Sequence, residues 1–253
     1  MSSKVILRSL WLGNDLSRME ELSISSFLYH GHEFHLYTYN EINVPDGTIL
    51  RDANDIIPKD QVFKDDIESY VCFSDLFRYK LLLEKGGYWV DTDIVCLRNF
   101  DFESDYVFSG ERTENGSNER KAYGSSWSNG CVTKVPIESK LMNFCYETSK
   151  VMKSKTPKLD GWELGPPILS EAVNKFKLKN YVLSYKKFNP VDWWDWREII
   201  SGKLRVRIKL KLKLLGNVYG IHLWSSMWKR EGADKNGVYH PNCLYETLKA
   251  KYL

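Results

Sequence analysis

Ser74-Asp75-Leu76-Phe77-Arg78-Tyr79-Lys80-Leu81-Leu82-Leu83-Glu84-Lys85-Gly86-Gly87-Tyr88-Trp89-Val90-Asp91-Thr92-Asp93-Ile94-Val95-Cys96 is the stretch on which the fold of this 253-residue chain turns. Its first half sets Leu76, Phe77, Leu81, Leu82 and Leu83 at helical spacing, and Gly86-Gly87 stops that helix. The second half, Tyr88 to Cys96, is rich in β-branched and aromatic residues and predicts a strand. It is apolar on both faces except at Thr92 and the two aspartates, as a central, covered strand is. Acids in such a strand need a reason. Residues i and i+2 share a strand face, so Asp91 and Asp93 are expected to present two carboxylates about 7 Å apart. Like charges held in a dry place raise one pKa or recruit a cation, and oxygen ligands suit Mn²⁺ or Mg²⁺ better than zinc. Asp-x-Asp alone is a weak motif; the apolar strand, the double glycine and the preceding helix give it weight.

Outward from this stretch the chain alternates strands and helices. Val5 to Trp11 predicts a strand that stops at Gly13-Asn14. Asn14 or Asp15 is expected to cap a helix carrying Leu16, Met19, Leu22 and Phe27, ending near Gly31. Phe34 to Tyr39 predicts a second strand, Glu111 to Ser128 a polar loop, Ile137 to Met152 a helix, and Tyr219 to Trp224 a short strand. This alternation implies an α/β fold with a mostly parallel sheet and crossover helices. No repeat or linker divides the chain, so one large domain or two small ones are expected.

Ser74-Asp-x-x-Arg78-Tyr79, Gly86-Gly87 and Asp91-Thr92-Asp93 together resemble the signature of glycosyltransferases with a DXD sugar-binding region. These are of the family 32 type, which includes capsule and lipopolysaccharide sugar transferases, mannosyltransferases and α-1,4-galactosyltransferases. More distantly, the pattern resembles the glucosylating domains of large clostridial toxins. Leu10-Trp11-Leu12-Gly13 is similar to the family's opening, and Ser23 to Phe27 with Gly31-His32 to the helix that follows. The likeness returns at Ile221-His222-Leu223-Trp224 and Trp228. Where the family usually has Tyr two residues before the first Asp, this chain has Trp89.

The resemblance implies a GT-A, Rossmann-like fold over residues 1–253, with a nucleotide-sugar-binding half (1–100) and an acceptor-binding half (101–253) that ends in a metal and diphosphate segment. It implies a retaining hexosyltransferase that uses Mn²⁺ or Mg²⁺, a nucleotide-sugar donor and a saccharide or lipid-linked saccharide acceptor. Asp91, Asp93 and His222 would hold the metal. Asp75 and Arg78 would bind the donor sugar and Asp91 the ribose. Trp11 would sit by the base, Asn129 near the sugar, and Trp224 and Trp228 by the diphosphate. Asp75, Arg78, Asp91 and Asp93 are the candidate catalytic residues. The chemistry of the residues agrees: a metal and Arg78 stabilise a leaving diphosphate, and no second carboxylate is clearly placed for double displacement, so front-face attack is expected. Each residue also has a plain structural reading. Asp75 can start its helix and Arg78 pair with it, His222 can be a core histidine, and Trp11 can be core.

The five cysteines are scattered and form no C-x-x-C pair, which favours a reducing compartment. No run approaches membrane-spanning length and Met1-Ser2-Ser3-Lys4 leads into too short an apolar segment for a signal core, so a soluble cytoplasmic protein is expected. The net charge is +3, yet Lys203 to Lys213 alone holds six basic residues and no acid, so the body is slightly acidic. At period two that stripe predicts a strand with one cationic face, either solvated or docked on the anionic inner face of a membrane. Trp193, Trp194 and Trp196 beside it suit an interfacial belt or an acceptor platform. Nucleic acid is not expected as a partner. Two rivals stand against a transferase. A metal-dependent phosphoesterase would need further Asp/His clusters, and a non-catalytic membrane- or nucleic-acid-binding module would not need intact Asp75, Arg78, Asp91 and Asp93.

Overall fold

The computed structural model describes residues 5–112, 127–156 and 158–253. Its first elements are β1 (Ile6–Trp11), α1 (Arg18–Tyr29), β2 (Glu33–Thr38) and β3 (Ile49–Asp52). β1 and β2 run parallel from Ile6 opposite Glu33 to Trp11 opposite Thr38, and β3 lies parallel to β2. The cap of α1 is Ser17, not Asn14 or Asp15. Ser17-x-x-Glu20 forms a capping box in which the Glu20 carboxylate accepts the Ser17 backbone N–H at 2.9 Å. Two otherwise unpaired donors are satisfied at once, which a lone Asn or Asp upstream does not achieve.

α2 (Val71–Lys85) leads into β4 (Gly87–Val90) through Gly86, at φ +59°, where a Cβ would lie 2.5 Å from the Ile137 nitrogen. Only glycine combines that backbone angle with so close an approach. β4 is parallel to β1 and antiparallel to β7 (Ser128–Val135). With β6 (Val107–Gly110) and β8 (Val182–Leu183) the sheet has seven strands in the order β3-β2-β1-β4-β7-β6-β8. Four of its six neighbouring pairs are parallel. This is the expected α/β arrangement with a mostly parallel central sheet.

Tyr88 to Cys96 is not one strand. β4 ends at Val90, the chain turns so that Ile94 N donates to Asp91 O at 3.2 Å, and β5 (Ile94–Cys96) pairs with β9 (Gly220–His222) in a separate two-stranded sheet. The aspartates therefore do not project from one strand face. The turn takes the two charged groups out of the strand and delivers them to the sheet's open end, where Asp93 is still only 7% exposed. α1 anchors β5 from below through Ser23 Oγ, which donates to Ile94 O at 2.6 Å, and Ser26 Oγ, which accepts from Cys96 N at 2.7 Å.

α3 (Lys140–Lys155) and α4 (Pro166–Lys175) pack with α2 around one core that holds Phe73, Phe77, Leu81 and Trp89. A second core, with Trp196, Trp228 and Tyr245, joins α5 (Leu204–Lys213), α6 (Ser225–Arg230) and α7 (Leu244–Tyr252) to β9. The basic stripe is thus helix α5 and not a strand. Leu, Lys and Arg are strong helix formers, and alternating letters do not outweigh that preference where only Leu210 is buried. Trp193 to Ile200 forms 3₁₀ turns in which Trp196 is 2% exposed against Trp228 and so belongs to the core, while Trp193 and Trp194 are partly exposed. Of the expected loop from Glu111 to Ser128, Ser128 belongs to β7 and residues 113–126 lie outside the described residues. Among the described residues no helix is long and apolar enough to cross a membrane.

Candidate active site

Parallel strands put the carboxyl ends of β1, β2 and β4 on one edge, the edge at which open α/β sheets hold ligands. Trp11 ends β1 and Asp91 follows β4, so both reach it. Asp93 leads into β5, and the β5–β9 pairing sets Ile94 opposite His222. As a result Asp91, Asp93 and His222 each offer a ligand atom within 4.8 Å of the others. Within this group His222 Nε2 lies 3.3 Å from Asp93 Oδ2.

The other side of the imidazole is held by residues the sequence reading missed. Asn189 donates from Nδ2 to Gly110 O at 2.9 Å, which turns its Oδ1 toward His222 Nδ1 at 3.0 Å. A proton on Nδ1 leaves the Nε2 lone pair facing the carboxylates, the tautomer a metal ligand needs. Asn129 supports this from behind: its Oδ1 accepts from Ser109 Oγ at 2.7 Å and Cys131 N at 3.0 Å, and its Nδ2 lies 3.4 Å from Asn189 Oδ1. Ser225 N donates to Asp93 Oδ2 at 2.7 Å. Neither Asn189 nor Ser225 sits in a local pattern that could have marked it.

Asp75 and Arg78 share the inner face of α2, 5% and 3% exposed, and form an ion pair. Arg78 also lies 3.7 Å from Asp91 Oδ1, which joins the pair to the acidic turn. Trp89 Nε1 donates to the same oxygen at 2.7 Å, so the indole N–H supplies a polar contact where the resemblance implied a hydroxyl. Asp75 Oδ2 and Arg78 Nε are buried without a hydrogen-bond partner. Such orphans are rare in folded proteins and fit groups reserved for a ligand. Gly130 closes the other side of Arg78 at φ +82°, where a Cβ would lie 2.8 Å from the guanidinium.

Burial, with the Asp91 charge adding to it, pushes the Asp75 carboxyl up to about 6. Burial would lower Arg78, but the Asp75 and Asp91 carboxylates hold it above the ordinary guanidinium value. Burial also raises Asp91. For Asp93 burial acts upward, yet His222 and the Ser225 N–H outweigh it and hold the carboxyl down. His222 is raised well above its ordinary value, because Asp93 overcomes its burial. A proton thus occupies the space that a cation would share. Asp91 keeps 30% of its side-chain surface open, so it is the acid that can meet a ligand from solvent.

Trp224 takes a left-handed conformation, stacks on His222 with ring centroids 3.8 Å apart, and donates from Nε1 to Val191 O at 2.8 Å. Trp228 is fully buried and spends its indole N–H on Leu223 O at 2.8 Å. It is therefore packed in the second core and has no surface to offer a diphosphate. Trp11 is partly exposed, with its indole bonded to Asp15 O at 3.2 Å. The Lys235 ammonium lies 5.9 Å from the Trp11 ring, pairs with Glu20 at 2.7 Å, and adds to the field that lowers Asp93. It is a cation at this edge of the sheet that no motif announced. Two carboxylates and an imidazole form a donor set that Mn²⁺ or Mg²⁺ accepts, next to an unpaired buried carboxylate oxygen that can take a sugar hydroxyl.

A profile described as capsular polysaccharide synthesis protein matches residues 56–206, more than half of the chain. A second, described as alpha 1,4-glycosyltransferase conserved region, matches residues 165–252. Comparison with curated proteins gives no match. Among solved structures, the PaToxG glycosyltransferase is similar at 13% identity and a TM-score of 0.49, over 98% of this chain and 87% of that one. The first profile takes in Asp75, Arg78, Asp91, Asp93, Asn129 and Asn189, and the second takes in His222, Trp224 and Lys235. The chain belongs to the capsular polysaccharide synthesis protein family and is a glycosyltransferase.

Proposed function

We propose that the chain moves a hexose or N-acetylhexosamine from a nucleotide sugar to a saccharide or lipid-linked saccharide in the cytoplasm, with retention of configuration and with Mn²⁺ or Mg²⁺. A UDP-sugar is the first candidate donor and a GDP-sugar the second. The observation that carries this reading is the convergence of Asp91, Asp93 and His222 beside an Asp75–Arg78 pair with an unpaired carboxylate oxygen. Residues 1–100 bind the donor, and residues 101–253 bind the acceptor and complete the site.

Asp91, Asp93 and His222 would hold the cation, and Asn189 would keep the imidazole in the competent tautomer. A divalent cation bound there would neutralise charge on the leaving diphosphate. Asp75 accepts a donor-sugar hydroxyl, and Arg78 fixes both acids by its double pairing. Trp11 flanks the base, Lys235 adds positive charge near the phosphates, and Trp224 backs the imidazole. The acceptor hydroxyl attacks from the face the diphosphate leaves, so its proton passes to a departing phosphate oxygen.

The test is nucleotide release from a panel of UDP- and GDP-sugars with Mn²⁺, comparing the wild type with Asp93→Ala. Release from one donor that needs both the metal and Asp93 supports the reading. Hydrolysis of a phosphomonoester or diester in place of a nucleotide sugar supports a phosphoesterase instead. Absence of both turnover and donor binding supports a binding module. An inverted product would rule out retention.

A further inference from the structure

Helix α5 buries only one side. Val206, Leu210 and Leu214 pack into the second core, while Leu204, Ile208, Leu212 and Leu215 are 67%, 51%, 62% and 70% exposed. At 100° per residue Leu204, Ile208 and Leu212 fall within a sector of about 80°, so they form one outward ridge, and Leu215, in the turn just past the helix, lines the same groove as Ile208 and Leu212. Arg207 and Lys211 flank the ridge on one side, Arg205 and Lys209 on the other. Lys209 pairs with Glu198 at 2.6 Å, and Lys213 approaches Asp195 at 3.6 Å, which pins the helix to the 3₁₀ segment. Lys203, Arg205, Arg207 and Lys211 have no acidic partner among the described residues.

An apolar ridge with a basic border on each side fits the boundary between acyl chains and headgroups. We infer that α5 is a docking surface for an anionic lipid bilayer, with Leu204, Ile208, Leu212 and Leu215 inserted and the flanking cations at the headgroups. Charge decides the occupant. A second copy would bring like charges together along both borders, whereas an anionic bilayer satisfies the unpaired Arg205, Arg207 and Lys211.

The position of the ridge gives docking a purpose, which rests on the proposed lipid-linked acceptor. Ile208, Leu212 and Leu215 form one bank of a groove of about 600 Å³, and Tyr185, Lys186 and Pro190 stand on the other. Pro190 directly follows Asn189, which holds His222. One short segment therefore links the bilayer-facing groove to the metal triad, and a sugar carried on a lipid is presented to the site from the membrane.

The test is co-sedimentation of the whole chain with vesicles of phosphatidylcholine alone and of phosphatidylcholine mixed with phosphatidylglycerol. The wild type should bind only the mixed vesicles, and less so as salt rises. Each flanking cation is worth about fivefold, ~1 kcal/mol. The triple variant Arg205→Gln/Arg207→Gln/Lys211→Gln should therefore bind about 100-fold more weakly. Leu204→Ser/Ile208→Ser/Leu212→Ser should lose binding while its thermal unfolding is unchanged. Equal binding to both vesicle types, no binding to either, or wild-type binding by the apolar variant would overturn the inference. So would a ridge-dependent dimer in lipid-free solution. Nucleotide release without lipid should be the same in the wild type and both variants, so failure of docking and failure of the transferase reading give different results.

Discussion

Replacing Asp75 by asparagine keeps the shape of the side chain and removes a charge that the fold buries. The residue is 5% exposed, and burial with the nearby Asp91 charge moves its carboxyl from 3.8 to about 6. Because the folded-state value is the higher one, the native chain holds the extra proton between these limits. The resulting stability is complete below the unfolded value and is lost as pH rises through about 6. At 1.36 kcal/mol per unit, ionised Asp75 costs the fold roughly 3 kcal/mol near neutral pH. The attraction of Arg78 is already contained in that shift. Asp75→Asn should therefore be more stable than the wild type by roughly 3 kcal/mol near pH 7. At about 2–4 °C per kcal/mol for a chain of this size, Tm should rise by roughly 6–12 °C. The gap should shrink to roughly 0.5 kcal/mol near pH 4 and vanish below about pH 3, where Asp75 is protonated in both states. Nucleotide release should move the other way, falling steeply in the variant, and in the wild type it should fall as pH drops through about 6. Urea or thermal unfolding at the two pH values reads the first effect, and a pH–rate profile reads the second. A variant no more stable than wild type near pH 7, or an undiminished gap near pH 4, would refute the reasoning.

Three other substitutions probe the site and its support. Asn189→Ala should leave the fold intact and weaken Mn²⁺ binding by about 10–100-fold, because the imidazole loses the partner that sets its tautomer; calorimetric titration checks this, and unchanged affinity counts against the role. Gly130→Ala puts a methyl group 2.8 Å from Arg78 on a backbone at φ +82°, so it should cost more than about 1 kcal/mol and raise the KM for donor. Trp228→Ala should cost about 3–5 kcal/mol, while the folded fraction keeps the wild-type KM. A raised KM without loss of stability would return Trp228 to the donor site.

Local signals carried the amino-terminal elements. Helical spacing in α2, the Gly86-Gly87 stop, β4 and the His222 segment all depend on neighbours along the chain, and such patterns are legible without knowing what packs where. The break after Val90 was hidden because Ile94-Val95-Cys96 continues the same apolar composition, so only the partner strand Gly220–His222 shows that the chain has changed sheets. Helix α5 was misread because a two-residue alternation of Leu or Ile with Lys or Arg suits a strand on paper. Its conformation follows from high helix propensity and from a single buried position at Leu210. Asn189 and Lys235 gain their meaning from residues far away in sequence, His222 for one and Trp11 with Glu20 for the other. No periodicity could have placed them.

The meeting of β5 with β9 also orders events during synthesis. A nascent chain extended to residue 200 already carries the Asp-Thr-Asp turn, but it lacks the strand that pairs with Ile94–Cys96 and the imidazole that faces Asp93. Until the carboxyl-terminal segment emerges and pairs, the two acids stand as an incomplete cage. On the proposed reading, cleavage of a donor therefore waits until residues 220–222 have been made and have paired with Ile94–Cys96.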